Sequence, residues 1–294
     1  MSTKTPLFRG KNLVKEFAAS SGGPFAKSRK FRAVDDVSLE VAAGETLALV
    51  GESGSGKSTT ARLVARLMDV TAGTVEFEGQ DVTRASGAQL REFRGAVQVI
   101  FQDPYSSLNP RHTVERLVTA PLVYQGRKVP GGARKFTREL MERVGLDPMH
   151  SERYPSQFSG GQAQRIGIAR ALAVGPRLVI CDEAVSALDV SVQAQVINLL
   201  RRLQDEEGFG YLFIAHDLAV VRQIATSVAV MSQGRIVETG LRDEVFDHPQ
   251  DEYTRTLLNA VPRIDPDWER RRQENRAARR RALSAAGPAT EGAA

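Results

Sequence analysis

Gly51-Glu52-Ser53-Gly54-Ser55-Gly56-Lys57-Ser58 decides the fold of this chain. It fits the pattern G-x-x-x-x-G-K-[ST], and Thr59 follows it directly. Glycines at such positions let backbone N–H groups turn inward around phosphate oxygens. A helix opening behind them adds partial positive charge at its N-terminus. Lys57 brings a full charge to the terminal phosphates, and the Ser58 hydroxyl suits Mg²⁺. A chance glycine-rich turn would not need the right neighbours. Here Thr46-Leu47-Ala48-Leu49-Val50 precedes the loop as a compact apolar run, the mark of a buried parallel strand. Behind Lys57, the spacing of Leu63, Val64 and Leu67 predicts a helix carrying all three on one face.

Working outward, strand signals appear before the loop at residues 7–14 and at Val37-Ser38-Leu39-Glu40-Val41, which alternates apolar and polar. A Ser/Gly/Pro/Lys loop over residues 18–30 separates them. Downstream, residues 106–144 read as mainly helical, broken at Pro130-Gly131-Gly132. Buried-strand runs return at residues 178–181 and 211–215, each followed by helical sequence. Alternating strand and helix predicts an α/β core. Residues 106–174, poor in strand signals, predict a helical subdomain inserted into it.

The second chemical element is Leu178-Val179-Ile180-Cys181-Asp182-Glu183. An apolar strand ending in two acids sets carboxylates at the carboxyl edge of the sheet, where open α/β sheets bind ligands. Asp182 suits Mg²⁺ or its coordinated water. Glu183, one residue on, points elsewhere and can polarise an attacking water. Taken alone the pair is simply a strand ending in a polar turn; the phosphate loop upstream gives it meaning.

Composition narrows the rest. At 294 residues and 41% apolar, the chain has ample material for a buried core. No stretch reaches the ~18–20 apolar residues that span a bilayer. Met1-Ser2-Thr3-Lys4-Thr5-Pro6 lacks the apolar core of a secretory signal, so a soluble, cytosolic chain is expected. Cys181 is the single cysteine, which excludes an internal disulfide and a cysteine-built cluster. His112, His150, His216 and His248 show no ligand spacing. The net charge of +5 is too mild for a dedicated nucleic-acid binder, and no nucleic acid is expected as partner.

Phe158-Ser159-Gly160-Gly161-Gln162 opens another helix, predicted over residues 162–173. A Ser-Gly-Gly turn there makes a second anion-seeking helix N-terminus. Such turns are common. One nucleotide does not need both helix ends from one chain, however, which hints at a site completed by a second subunit.

In order, the phosphate loop, Gln102, Ser159-Gly160-Gly161-Gln162, Asp182-Glu183, Asp189 and His216 resemble an ABC-type nucleotide-binding domain, over nearly the whole chain to about residue 262. The resemblance implies a P-loop NTPase of the α/β class. An N-terminal antiparallel β-subdomain and an inserted helical subdomain at residues 104–174 complete the expected fold. It implies ATP as substrate, held by residues 51–59, with Mg²⁺ at Ser58, Gln102 and Asp182. Glu183 and His216 become the catalytic pair, His216 as the switch on the γ-phosphate. Residues 159–162 act in trans on a partner's nucleotide, and Asp189 belongs to a loop at the dimer interface. Phe17 is the first candidate to stack on adenine, with Phe25 and Phe31 as alternatives. Phe158 stands where leucine is usual and Ala184 where proline is usual; neither change removes a polar group that touches ATP.

Phe101-Gln102-Asp103-Pro104-Tyr105-Ser106-Ser107-Leu108-Asn109-Pro110-Arg111 is similar to oligopeptide/dipeptide importer ATPases. So are residues 182–191 and the end from His248-Pro249 to Pro262. The resemblance implies a domain over residues 1–262 with an importer-type extension from about residue 240. A basic tail follows over residues 263–294, read as solvated or alternatively as a contact to anionic lipid. It implies a second, unlike ATPase subunit, two permeases and an extracytoplasmic binding protein, at the cytoplasmic face of the membrane. Some relatives hold an iron–sulfur cluster in this extension; this chain lacks the cysteines. Cargo is ranked peptide first, then another solute such as glutathione or a nickel chelate, then a soluble ATPase role in phosphonate-degrading machinery. A single cassette argues against duplicated-cassette translation or resistance factors, and no coiled-coil insertion points to DNA repair.

Overall fold

The computed structural model describes residues 6–19 and 29–260. Phe25 and the basic tail lie outside the described residues. One unit covers Met1–Leu257; a second, Leu258–Ala294, is described at residues 258–260 alone.

Among the described residues the strands are β1 (Phe8–Ala19), β2 (Arg29–Val41), β3 (Thr46–Val50), β4 (Ala72–Phe77), β5 (Gln80–Asp81), β6 (Val97–Ile100), β7 (Leu178–Asp182), β8 (Gly210–Ile214), β9 (Ser227–Ser232) and β10 (Arg235–Leu241). The helices are α1 (Lys57–Val64), α2 (Gly87–Ala96), α3 (Pro104–Ser107), α4 (Val114–Tyr124), α5 (Ala133–Arg143), α6 (Gly160–Leu172), α7 (Val190–Glu207), α8 (Leu218–Ile224), α9 (Arg242–Asp247) and α10 (Glu252–Asn259). An antiparallel sheet runs β2-β1-β4-β5. A second sheet runs β10-β9-β3-β8-β7-β6, with β3 and β6–β9 parallel and β10 antiparallel at its edge. This is the expected α/β architecture, and α3–α6 fill the expected helical stretch between β6 and β7.

The central strands are apolar because both their faces are covered. Every residue of β3 and of β8 is buried. One core cluster joins Phe8, Leu13 and Phe77 of the antiparallel sheet, Leu63 and Val64 of α1, and Leu49, Ile180 and Leu212 of the parallel sheet. The helix behind the phosphate loop is thus anchored on both sheets.

Two expectations are corrected. The helix after Lys57 ends at Val64, so Leu67 is not on it and is 50% exposed. Arg66 takes a left-handed conformation (φ +51°), and its buried guanidinium donates to Val82 O at 2.9 Å and pairs with Asp69 at 2.6 Å. Those contacts reward the break at a residue where the helix would otherwise continue. The other correction concerns α6, which starts at Gly160 rather than Gln162, with Ser159 as its N-cap.

Candidate functional site

Strand register explains why distant residues meet. Leu49 of β3 and Asp182 of β7 both pair with Ile214 of β8, and Ile100 of β6 pairs with Cys181. All four strands therefore stop at one edge. Gly51, Glu183 and His216 leave from it, and Gln102 follows two residues past β6. This is the carboxyl edge that open α/β sheets use for ligands.

The phosphate loop turns where side chains cannot follow. Gly51 has φ +148°, and a Cβ there would lie 2.1 Å from Met231 O. Gly56, the N-cap of α1, has φ +108°, and a Cβ would meet Ala33 O at 2.4 Å. Lys57 is only 5% exposed and donates to Gly51 O at 2.8 Å and Glu52 O at 2.7 Å. Burial pushes its pKa down, opposed by the charges of Glu183, Asp182 and Glu52. Ser55 Oγ is buried with no protein partner.

Ser58 Oγ donates to Asp182 Oδ1 at 2.9 Å, so a hydroxyl and a carboxylate stand together at the foot of the loop. Burial pushes the Asp182 pKa above its ordinary 3.8, with Ser58 pulling the other way and Glu183 adding to the rise. Glu183 adopts a left-handed backbone (φ +50°), costly for a branched-chain-free but bulky acid by about 1–3 kcal/mol. It is held from both sides: its N–H donates to Ile214 O at 3.1 Å, and its C=O accepts from Ser186 N at 3.1 Å and Ser186 Oγ at 2.9 Å. That turn sets Glu183 Oε2 3.6 Å from His216 Nδ1. The strand pattern alone gave no sign of this backbone.

Other predicted residues are placed nearby or elsewhere. Gln102 is exposed at the same edge. Ser159 and Gln162 form a reciprocal capping box, with Ser159 N to Gln162 Oε1 at 2.9 Å and Gln162 N to Ser159 Oγ at 3.4 Å. Among the described residues, no hydrogen bond joins residues 159–162 to residues 51–58. Asp189 caps α7 by accepting from Val192 N at 3.0 Å and Ser191 Oγ at 2.7 Å, which holds its pKa low. Beside it Val190 is 82% exposed. Phe17 and Phe31 are cross-strand partners and both exposed; Lys15 Nζ lies 5.6 Å from the Phe17 ring centroid.

Sequence reasoning missed a clamp between the segment around Gln102 and α6. Tyr105 OH donates to Phe158 O at 2.8 Å, Gln164 Nε2 to Phe101 O at 3.4 Å, and Arg170 Nη1 to Ser107 O at 2.5 Å. Tyr105 thus touches the residue immediately before Ser159. A tyrosine in a short polar segment carries no sequence signal for such a contact.

A phosphate loop and an acidic pair at one sheet edge, with a capped Ser-Gly-Gly helix in the same chain, define an ATP-binding cassette. The family model for ABC transporters matches residues 34–186, and the chain belongs to that family. The model of the oligopeptide/dipeptide transporter C-terminal region matches residues 237–287. The chain is 52% identical over 243 residues to the oligopeptide transport ATP-binding protein OppF of Bacillus subtilis, covering 82% of this chain and 80% of that protein. It is 50% identical over 268 residues to the glutathione import ATP-binding protein GsiA of Pectobacterium atrosepticum, covering 91% of this chain but 43% of GsiA. The chain therefore spans less than half the length of that relative. Among solved structures, a dimeric post-hydrolysis ATP-binding cassette bound to ADP and Pi is 26% identical, with TM-score 0.69 over 80% of this chain and 98% of that one. The cbiO1 cassette of Clostridium perfringens shares the fold at 24% identity, TM-score 0.71, over 89% of this chain and 98% of that one.

Proposed function

We propose that the chain is the ATP-hydrolysing subunit of an importer for oligopeptides or dipeptides, bound to the cytoplasmic face of the membrane. The observation that carries this reading is the match of residues 237–287 to the C-terminal region of oligopeptide/dipeptide transporters. The 52% identity to OppF supports it. No helix among the described residues is long and apolar enough to cross a membrane, so the reading assigns translocation to separate permeases.

In this reading residues 51–59 hold the ATP phosphates. Their amides and the Lys57 ammonium face phosphate oxygens, and the unpartnered Ser55 hydroxyl is available to one of them. Phe17 or its neighbour Phe31 stacks on adenine. Ser58, Gln102 and Asp182 would hold Mg²⁺ through hard oxygens, Ser58 and Asp182 already standing together; no larger acidic cluster is found among the described residues. When bound, Mg²⁺ neutralises charge on the β- and γ-phosphate oxygens. Glu183 accepts a proton from the attacking water, and His216, beside it, contacts the γ-phosphate as the switch. Gln102 reports the nucleotide's state to the permeases. Residues 159–162 and Asp189 act across the interface on a partner cassette. The proposed domain spans residues 1–262, with the importer-type extension from about residue 240.

A second cargo, glutathione, is favoured by the 50% identity to GsiA. The test is reconstitution in lipid with permeases, binding protein and a second, unlike cassette. Peptide-loaded binding protein should raise ATP turnover and drive uptake, and omitting the second cassette should abolish both responses. Stimulation by glutathione instead selects the second reading. Full peptide-stimulated uptake without the second cassette replaces the heterodimer by a homodimer.

A further inference from the structure

The inner side of the phosphate loop serves phosphates; its outer side is held by parts of the chain far away in sequence. Gly234 N, in the turn between β9 and β10, donates to Ser55 O at 2.9 Å. Glu52 N donates to Tyr253 OH at 3.0 Å, and Tyr253 lies in the first turn of α10. That contact spans 201 residues of sequence.

Tyr253 is not there by chance of a swinging terminus. Glu238 of β10 accepts from Gln250 N at 2.9 Å and Asp251 N at 3.0 Å, which fastens the start of α10 to the sheet. Asp251 Oδ1 then caps the helix by accepting from Tyr253 N at 2.8 Å. Arg255 closes the turn, donating from Nε to Pro249 O at 3.1 Å. A buttressed tyrosine therefore meets an amide of the phosphate loop.

The Glu52 peptide matters to the site. Glu52 O, in the following peptide, accepts from Lys57 Nζ at 2.7 Å and from Ser55 N at 3.2 Å. Glu52 N–H lies in the Gly51–Glu52 peptide plane, whose carbonyl, Gly51 O, accepts from Lys57 Nζ at 2.8 Å, so the tyrosine hydroxyl fixes one of the two peptides that hold the lysine in its present position. Without the tyrosine hydroxyl that N–H turns to water, and the first turn of the loop samples orientations unsuited to phosphate.

We infer that Tyr253 is a positioning residue for the phosphate loop, so that the C-terminal extension sets how tightly this chain holds ATP. The inference rests on the reading of residues 51–58 as the ATP phosphate site. It adds a contact outside that motif, carried by the region matched at residues 237–287.

The test is Tyr253→Phe in the full chain, which keeps the ring and removes the hydroxyl alone. MgATP affinity should fall by about 3- to 10-fold, the range that one net hydrogen bond gives. kcat should stay within about twofold, because the hydroxyl touches no reacting group. Hydrogen exchange at the Glu52 amide should quicken while the amides of α10 keep their protection, and Tm should fall by no more than the ~2–4 °C that one hydrogen bond gives. Unchanged affinity with unchanged Glu52 exchange overturns the inference. So does a loss of affinity that comes with a general loss of protection and a larger fall in Tm, since that marks a merely structural role. If the wild-type chain binds no MgATP, the phosphate-loop reading falls first and this inference with it.

Discussion

Glu183→Gln is expected to bind MgATP with wild-type affinity and to hydrolyse it about 10²–10⁴-fold more slowly. The amide is isosteric, so the left-handed turn at residue 183 and its bonds to Ile214 and Ser186 survive. What is lost is the one carboxylate at the site that has a histidine, not a serine hydroxyl, as its neighbour. Glutamine cannot accept the proton that water must lose. With hydrolysis stalled, ATP remains in place and the closed pair of cassettes should accumulate on gel filtration. Equilibrium binding and steady-state phosphate release, measured on the same preparation, check both halves. Turnover within a few-fold of wild type would remove Glu183 from the chemistry.

Asp182→Asn is expected to act in two opposite directions. The carboxylate is desolvated, and its pKa sits above the ordinary 3.8 chiefly for that reason. A raised folded-state pKa means that the proton-bound form favours folding. That stability is present below pH 3.8 and is lost as pH rises through the folded value. At neutral pH the nucleotide-free wild type therefore carries the cost of a partly buried charge. Asparagine removes the charge while its carbonyl can still accept from Ser58 Oγ. The variant should melt higher than wild type at neutral pH, and the gap should close toward pH 4. ATP turnover should fall by about 10²-fold or more if, as proposed, Asp182 is the anionic ligand of Mg²⁺. Melting curves with and without MgATP, over a pH series, separate the two effects. A variant less stable than wild type at neutral pH would contradict the desolvation argument.

The parts of the molecule that were plain in the sequence are those where chemistry forces residue type. A loop that wraps phosphate needs glycine at positions such as 51 and 56, where a Cβ would strike Met231 O or Ala33 O. A strand buried on both faces has to be apolar between its ends, as β3, β7 and β8 are. The elements that escaped notice obey weaker rules. β4 begins Ala-Gly and is half exposed; β6 has four residues; β10 is an edge strand that alternates intermediate and exposed positions. The β9–β10 hairpin turns on Gln233-Gly234, both with positive φ, without the Asn-Gly or Asp-Gly pair that usually announces such a turn.

The site was less legible than its motifs. Residue identity named Asp182 and Glu183, but the φ of +50° that points Glu183 at His216 is imposed by Ile214 and Ser186, not by any local preference. The early end of α1 likewise follows from what Arg66 touches across space. Tyr105 at Phe158 and Tyr253 at Glu52 are long-range contacts made by exposed or half-buried tyrosines, and no periodicity marks them. Such contacts depend on how elements are assembled, which composition and spacing do not encode.

The shared nature of the ATP site is tested most directly by hydrolysis per chain as a function of chain concentration, at saturating MgATP, with sedimentation reporting the fraction paired. The expected result, on the proposal that residues 159–162 of one cassette complete the phosphate loop of another, is a slow rate per chain that rises with concentration in step with pairing. A chain that sediments as a monomer and hydrolyses ATP at a constant rate per chain would contradict it.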